Sequence, residues 1–210
     1  MRIVVLISGR GSNLQAILAA HLPADIVAVI SNKPGATGLQ VAQAAGIATQ
    51  VLAHTDFASR AEFDSAMMQL IDSYQPDLVV LAGYMRILTD EFVNHYQGRL
   101  LNIHPSLLPS YAGLNTHQRA LDDGVKVHGC TVHFVTPTLD HGPIIIQAAV
   151  PVRNHDTADS LSERVLHMEH QIYPTAIHWF IAGRIQLSTD GKVNLLNNNG
   201  SEQTVFYSET

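Results

Sequence analysis

The chain has 210 residues, which is enough to bury a substantial core as one domain. Its 12 Lys and Arg against 18 Asp and Glu give a formal net charge of −6, so no basic field is available to hold DNA or RNA along its length. Nucleic acid is therefore excluded as an expected partner. A small phosphorylated ligand stays open, because backbone N–H groups bind phosphate whatever the net charge.

The single cysteine, Cys130, cannot form an intramolecular disulfide and has no companions at metal-ligand spacing. Met1 leads directly into a short apolar run, and we find neither a signal-like segment nor a membrane-spanning one. These features predict a cytoplasmic protein without membrane association.

The first hundred residues alternate short β-branched apolar runs with segments of helical composition. Such alternation predicts an α/β fold with a doubly wound, mostly parallel, Rossmann-like sheet. The predicted strands are residues 3–7, 26–30, 49–52 and 77–83, and the predicted helices are residues 14–20, 37–45, 60–74 and 89–96.

The second half changes pattern. Residues 127–135 and 143–152 are two strand-like runs joined by a compact loop, which predicts an antiparallel extension of the sheet. Asp156 and Thr157 introduce a long helix toward residue 182, which Pro174 is expected to kink. We expect one domain over residues 1–188 and a peripheral hairpin or tail over 189–210, with Asn197–Gly200 as its turn.

A glycine-rich turn follows the first strand. Gly9 and Gly11 supply flexibility, and Ser12 and Asn13 could cap the next helix where its N–H groups point outward, which would suit a phosphate. Leu14 stands where a dinucleotide fingerprint needs its third glycine, which argues against NAD, and no Gly-Lys-Ser/Thr is present for ATP. The alternative is an ordinary tight turn with a good cap.

An apolar strand near residue 100 ends in two polar side chains, Asn102 and His104, before Pro105. The two-residue period of a strand turns both side chains to one face, at the carboxyl edge where α/β sheets bind ligands. Asn102 could donate to a developing oxyanion, and His104 could donate to the same oxygen and handle protons. The alternative is a buried, mutually satisfied pair.

A third polar candidate is Asp140, in a tight loop. On its own it would be a turn former, but near His104 a carboxylate would orient the imidazole and stabilise its protonated form. His167 and His170 flank Glu169, yet adjacent helical residues point in different directions. We therefore predict no metal site.

Four ordered motifs stand out, at residues 8–15, 82–88, 101–109 and 139–143. Together they resemble the phosphoribosylglycinamide formyltransferase family, over about residues 1–185. The resemblance implies transfer of a formyl group from 10-formyltetrahydrofolate, as co-substrate, to the amine of glycinamide ribonucleotide in purine synthesis. It implies a nucleotide-phosphate site in the amino-terminal half and a folate site in the carboxyl-terminal half, with no metal.

The resemblance also assigns roles to residues. Asn102, His104 and Asp140 would be catalytic, and Glu169 would bind the ribonucleotide together with the glycine-rich turn. Independently, Glu169 lies beside the apolar stripe of its predicted helix, which fits a ligand at a packed edge. The ribonucleotide set is Gly11, Ser12, Asn13 and Glu169, and the folate set is Arg60, Met85, Arg86, Ile87, Leu88, Asn102, Leu139 and Asp140.

The chain departs from the family pattern near the site. His141 stands where glycine is common, Asn115 where many members have histidine, and Ala112 where proline is frequent. These departures bear on loop geometry and leave the predicted reaction intact. Residues 110–124 are predicted to form a mobile flap whose ordering helps to exclude water.

Three alternatives compete with this function. A sibling formyltransferase acting on initiator methionyl-tRNA would need a basic surface and usually an extra carboxyl-terminal domain. A formyltetrahydrofolate hydrolase usually carries an amino-terminal regulatory domain. A non-catalytic folate- or nucleotide-binding module is the third, and the intact Asn102, His104 and Asp140 argue against it. A monomer and a homodimer are both compatible with the sequence.

Overall fold

The computed structural model describes residues 1–196 and 205–207, and the chain forms two compact units. Unit 1 comprises Met1–Asn102 and Val135–Pro137. Unit 2 comprises Ile103–Phe134 and the chain from Thr138 onward.

Unit 1 is a parallel α/β unit. Its strands follow the order β3-β2-β1-β4-β5, and every neighbouring pair is parallel. The strands are β1 (Arg2–Ile7), β2 (Asp25–Ser31), β3 (Thr49–Val51), β4 (Leu78–Leu81) and the first three residues of β5 (Leu100–His104), and the helices are α1 (Ser12–Ala19), α2 (Gly38–Ala44), α3 (Arg60–Ser73) and α4 (Asp90–His95).

The strand order reverses direction at β1. Leu6 on β1 pairs with Ile30 on β2 and with Leu81 on β4, so the chain winds away from β1 to both sides. Ligands of open α/β sheets bind at the carboxyl end of such a switch point. The predicted phosphate turn follows β1 directly at this edge.

The core of unit 1 explains the sequence pattern. Val4 and Leu6 are fully buried, as expected for a strand covered on both faces. Phe63 and Met67 from α3 and Phe92 from α4 pack into the same cluster. The apolar residues of the strands and those of the helices thus pack into one core.

Unit 2 contains an antiparallel pair, β6 (Val127–Phe134) and β7 (Ile144–Pro151), in which Gly129 pairs with Ala149. Val205–Tyr207 forms β10, which pairs parallel with β7. The mostly parallel Rossmann-like fold with an antiparallel extension, predicted from the sequence, is confirmed. The remaining elements are α5 (Thr116–Asp122), α6 (Ala158–Ile181) and the hairpin strands β8 (Ile185–Leu187) and β9 (Val193–Leu195).

The long helix is confirmed. Thr157 caps α6 in a reciprocal box with Ser160, and Gly183 follows its end with φ of 64°. Pro174 lies within the helix and does not end it. The predicted stripe of Leu161, Val165, Met168, Ile172 and Ala176 is buried.

Two local predictions need correction or completion. Ser12 and Asn13 do not cap α1, because the helix already begins at Ser12 and Gly11 occupies the N-cap position without a side-chain cap. The segment 110–124 contains the helix α5, which the sequence analysis did not predict. The predicted turn Asn197–Gly200 lies outside the described residues.

The described residues contain neither a candidate membrane-spanning helix nor a candidate metal-binding cluster. Within residues 1–196 and 205–207, no helix is both long and apolar enough to cross a bilayer. Over the same described part of the chain, no group of three or more His, Cys, Asp or Glu side chains is placed to hold a metal ion.

Candidate active site

The candidate site is built around His104, which ends β5 and is 6% exposed. Its Nε2 lies 3.0 Å from the carbonyl oxygen of Tyr111. A carbonyl oxygen only accepts, so Nε2 carries a proton and the neutral ring has its lone pair on Nδ1. Nδ1 in turn lies 3.5 Å from Oδ2 of Asp140. The backbone therefore anchors one ring nitrogen, while the other faces a carboxylate.

Asp140 is brought to His104 as the sequence analysis anticipated. Its backbone adopts the left-handed conformation, with φ of 52°, which Asp tolerates better than most residues. Its Oδ2 accepts a 2.8 Å hydrogen bond from the N–H of Gly113, and its side chain is 8% exposed. A carboxylate held by a backbone donor in a nearly dry position can orient an imidazole.

Gly142 explains why the loop after Asp140 can close so tightly. A Cβ at this position would lie 1.7 Å from the carbonyl oxygen of Phe134. That approach allows Phe134 N–H to donate to the carbonyl of Pro143 at 3.0 Å. The glycine of the 139–143 motif is therefore a packing requirement that fixes where Asp140 stands.

His133 is a member of this cluster that sequence reasoning missed. Its Nδ1 donates to the carbonyl of Phe134 at 2.8 Å, and its Nε2 lies 4.0 Å from Oδ1 of Asp140. Burial lowers the pKa of His133, which keeps the ring neutral more readily than a free histidine. The available signal was the period of β6, in which Thr131 and His133 face the same side.

Asn102 lies on β5, two residues before His104. It pairs in register with Leu81 of β4 and is partly exposed, whereas Leu101 and Ile103 on either side are buried. Strand alternation turns Asn102 and His104 to the same face of β5.

In unit 1, the predicted phosphate turn is shaped by two glycines in backbone contact. A Cβ on Gly11 would lie 2.6 Å from the Cα of Gly38, and Gly11 has φ of 78°. The N–H of Gly38 donates to the carbonyl of Gly9 at 3.0 Å. The start of α2 thus braces the turn, and Gly11, Ser12 and Asn13 present the start of α1, where N–H groups are available to an anion.

Ser8 joins this turn to the loop after β4. Its N–H donates to the carbonyl of Gly83 at 3.1 Å, and its Oγ accepts from the N–H of Met85 at 2.8 Å. The same hydroxyl donates to Oδ1 of Asn32 at 2.6 Å. Two of the predicted binding segments are therefore held together within unit 1 by a single buried hydroxyl, which the sequence analysis did not single out.

The loop after β4 exposes apolar side chains. Met85 is 68% exposed and Ile87 is 55% exposed, although both are large hydrophobics. Between them, Arg86 packs its guanidinium 4.6 Å above the ring of Phe63, and Leu88 is partly buried against the core. An apolar surface held by a buried backbone is suited to a flat aromatic ligand.

The remaining predicted binding residues lie at separate places. Arg60 is exposed at the first position of α3 in unit 1. In unit 2, Leu139 is 48% exposed beside Asp140, and Glu169 is only 7% exposed on α6.

Burial, and next the charge of Glu169, raise the pKa of the Cys130 thiol, so Cys130 is an inert core residue.

The segment 110–124 is tied down by its own contacts. Nη1 of Arg119 donates to the carbonyl of Ala112 at 2.7 Å, and Asn115 has φ of 56° at the N-cap of α5. Tyr111 stacks edge-on against His128, whose Nε2 lies 3.2 Å from Nδ1 of His117. Burial, followed by the nearby His117, lowers the pKa of His128 to about 4. A neutral histidine pair therefore underlies the segment that provides the Tyr111 carbonyl.

The third departure from the family pattern lies at the surface. Nδ1 of His141 lies 2.7 Å from the carbonyl of Leu139, within the same tight loop. His141 therefore contributes to the local turn.

Comparison with known proteins gives a consistent result. A family model described as formyl transferase matches residues 1–177. The chain is 54% identical to phosphoribosylglycinamide formyltransferase of Escherichia coli K12, over 89% of this chain and 90% of that protein. It is also 50% identical to a human trifunctional purine biosynthetic protein, covering 91% of this chain but only 19% of that protein.

A solved structure agrees with these sequence matches. The crystal structure of phosphoribosylglycinamide formyltransferase from Anaplasma phagocytophilum superposes with a TM-score of 0.92 at 42% identity. The match covers 100% of this chain and 99% of that one.

Proposed function

The chain belongs to the formyl transferase family, among the phosphoribosylglycinamide formyltransferases, and on this premise we propose that it transfers the formyl group of 10-formyltetrahydrofolate to the amine of glycinamide ribonucleotide. The reaction serves purine synthesis and one-carbon metabolism, in a cytoplasmic enzyme. The observation that carries the proposal is the buried His104, anchored through Nε2 and facing Asp140 through Nδ1.

We propose direct attack of the substrate amine on the formyl carbon. A carbon–nitrogen bond forms to the amine and the bond to the folate nitrogen breaks, while a proton leaves the amine and one reaches the folate nitrogen. Asn102 and protonated His104 hold the oxygen of the tetrahedral intermediate. No covalent enzyme intermediate is required.

The geometry of His104 supports Nδ1 as the nitrogen for this role. Nε2 is committed to Tyr111, whereas the 3.5 Å separation of Nδ1 from Asp140 exceeds the roughly 2.7–2.9 Å of a charge-assisted hydrogen bond. Nδ1–H is therefore the donor that can turn to the developing oxyanion. Asp140 stabilises the protonated ring and helps, through water, to move the proton between the two substrate nitrogens.

Substrate binding is assigned to the surrounding segments. Gly11, Ser12 and Asn13 hold the phosphate of the ribonucleotide, and Glu169 binds its ribose or glycinamide end. The exposed Met85 and Ile87 fit the pterin of the folate. Arg86, Leu88, Leu139 and Arg60 complete the folate set.

The test is formyl transfer measured with and without glycinamide ribonucleotide, with product folate followed by its absorbance. We expect release of product folate only when the ribonucleotide is present. Release without it would identify a formyltetrahydrofolate hydrolase and contradict the proposal. Tight binding of both ligands without release would identify a non-catalytic binding module.

A further inference from the structure

Two polar residues behind the candidate site, the buried Thr131 on β6 and the half-buried Gln147 on β7, have no role in the proposed reaction. They are register partners across the antiparallel pair, and Thr131 is fully buried. Buried polar side chains in a strand are costly unless their hydrogen bonds are made. The hydrogen-bond partners of Thr131 and Gln147 therefore indicate what these two side chains hold in place.

Thr131 uses its whole hydrogen-bonding capacity on one turn and one side chain. Its Oγ1 donates to the carbonyl of Ser106 at 2.7 Å and accepts from the N–H of Leu108 at 3.1 Å. Nε2 of Gln147 lies 3.0 Å from the same Oγ1 and donates to the carbonyl of Leu108 at 3.0 Å. A hydroxyl offers one proton and two lone pairs, and all three are used here.

The turn held in this way begins at His104 and ends at Tyr111. The N–H of Ser106 donates to the carbonyl of His104 at 2.9 Å, and Oγ of Ser106 donates to the carbonyl of Ser110 at 2.6 Å. Tyr111 then presents its carbonyl to Nε2 of His104 at 3.0 Å. A continuous chain of hydrogen bonds thus runs from the strand pair to the anchored ring nitrogen.

We propose that Thr131 and Gln147 are positioning residues for His104: by fixing the turn from Ser106 to Ser110, they place the Tyr111 carbonyl and so determine which ring nitrogen carries the proton. This inference rests on the proposed function only for its kinetic consequence. The effect on the ring tautomer is a property of the free protein. A hydrogen bond to one nitrogen fixes the tautomer, and a misplacement of about 1 Å can cost roughly a hundredfold in rate.

The test compares Thr131→Val, which keeps the shape and removes the hydroxyl, with Thr131→Ser, which restores it. Val132→Ala is the matched control, because Val132 is fully buried next to Thr131 but points to the opposite face of β6. We expect Thr131→Val to lower kcat about tenfold to a hundredfold with KM values changed less than about threefold. Thr131→Ser should stay within about threefold of the parent, and Val132→Ala should lose stability without losing kcat.

A second readout does not depend on turnover. Nitrogen-15 NMR of the imidazole, recorded at a pH at which the ring of His104 is neutral, should report the Nε2–H tautomer in the parent and in Thr131→Ser. Thr131→Val should show a mixture of both tautomers. If the parent transfers no formyl group, the proposed function fails while this measurement still tests the positioning role.

A third variant keeps the test decisive if Thr131→Val does not fold. Gln147→Met preserves volume and leaves the Thr131 hydroxyl in place. It removes the hydrogen bonds that Nε2 of Gln147 donates to the carbonyl of Leu108 and to Oγ1 of Thr131. We expect a loss in kcat of about threefold to tenfold, smaller than for a full displacement. An unchanged tautomer and unchanged kcat in a folded Thr131→Val or Gln147→Met protein would overturn the proposal, as would an equal kcat loss in Val132→Ala.

Discussion

The predicted binding segments of unit 1 and the candidate site of unit 2 are built from different parts of the polypeptide. In unit 1 the predicted binding segments offer backbone, shaped by the contact of Gly11 with Gly38 and by the hydrogen bonds of Ser8. In unit 2 the candidate site offers ionisable side chains, His104 and Asp140, held by carbonyl and N–H groups. The contrast implies that changes in the glycine-rich turn of unit 1 alter chiefly binding, whereas changes at His104 and Asp140 of unit 2 alter chiefly turnover.

The largest expected effect is at Asp140. Asp140→Asn keeps an oxygen for the N–H of Gly113 but removes the charge that faces His104. By analogy with other His–carboxylate pairs, kcat should fall on the order of a thousandfold, with KM values little changed. Steady-state kinetics measure both quantities.

The control for this variant is Asp159→Asn, which removes a carboxylate from the first turn of α6 in the same unit. It should leave kcat unchanged. Retention of more than about a tenth of parental kcat by Asp140→Asn would break the assignment of turnover to unit 2.

The next effect is expected at Gly11 in unit 1. Gly11→Ala must fit a Cβ 2.6 Å from the Cα of Gly38 at a left-handed φ of 78°, so the turn has to move. We expect a loss of about 2–4 kcal/mol in unfolding free energy and a KM for the ribonucleotide raised at least tenfold. Urea unfolding and steady-state kinetics provide the two values.

Gly9→Ala is the matched control in the same turn, because a Cβ there meets nothing within 4 Å. It should change stability and KM much less. If Gly11→Ala instead lowered kcat with KM unchanged, the assignment of binding to this turn and of turnover to His104 and Asp140 would be wrong.

Much of unit 1 could be predicted from the sequence, because buried parallel strands are continuous apolar runs and its helices are amphipathic. Residues 3–7 and 26–30 fall within the observed β1 and β2. The turn chemistry was less predictable. Ser12 and Asn13 have the composition of caps, but α1 begins at Ser12, two residues before the predicted start at Leu14. Its N-cap residue is Gly11, whose backbone contacts Gly38. A contact between residues far apart in sequence leaves no local pattern.

The residue types of the candidate site were predictable, but their surroundings were not. Asn102, His104 and Asp140 stand out as polar residues at a strand end and in a tight loop. The roles of the Tyr111 carbonyl and the Gly113 N–H are carried by backbone atoms, which the sequence does not distinguish. Helix α5 was missed because residues 110–124 carry turn-forming residues at both ends.

An intermediate effect is expected in the pH dependence of stability. Burial lowers the pKa of His128 to about 4, against about 6.5 in the unfolded chain. Between pH 4 and pH 6.5 the unfolded state binds more protons than the folded state at this histidine. The contribution of neutral His128 to the free energy of unfolding is therefore complete above pH 6.5 and is lost as the pH falls toward 4. Its size is at most about 3 kcal/mol.

The measurement is urea unfolding of the parent and of His128→Gln at several pH values from 7.5 to 4.5. The variant should show a smaller loss of stability on acidification. His178→Gln, an exposed position on α6, should behave as the parent does. Equal acid sensitivity in His128→Gln and the parent would show that His128 does not contribute to the pH dependence of stability.

The smallest effects are expected at two helix caps, one in each unit. Ser59 caps α3 by accepting a single 3.2 Å hydrogen bond from the N–H of Glu62. Thr157 caps α6 in a reciprocal box, in which its own N–H also donates to Ser160 at 3.0 Å. Ser59→Ala and Thr157→Ala should each cost about 0.5–2 kcal/mol, with neither changing kcat or KM.

Thermal unfolding of the two cap variants also tests whether the units unfold together. If the transition is cooperative over the whole chain, both substitutions lower one common midpoint. If the units unfold separately, two transitions are expected. Ser59→Ala should then lower only the midpoint of unit 1, and Thr157→Ala should lower only the midpoint of unit 2. A single shared transition would mean that the stabilities of the two units are coupled. The units would then differ only in the groups that they offer to ligands.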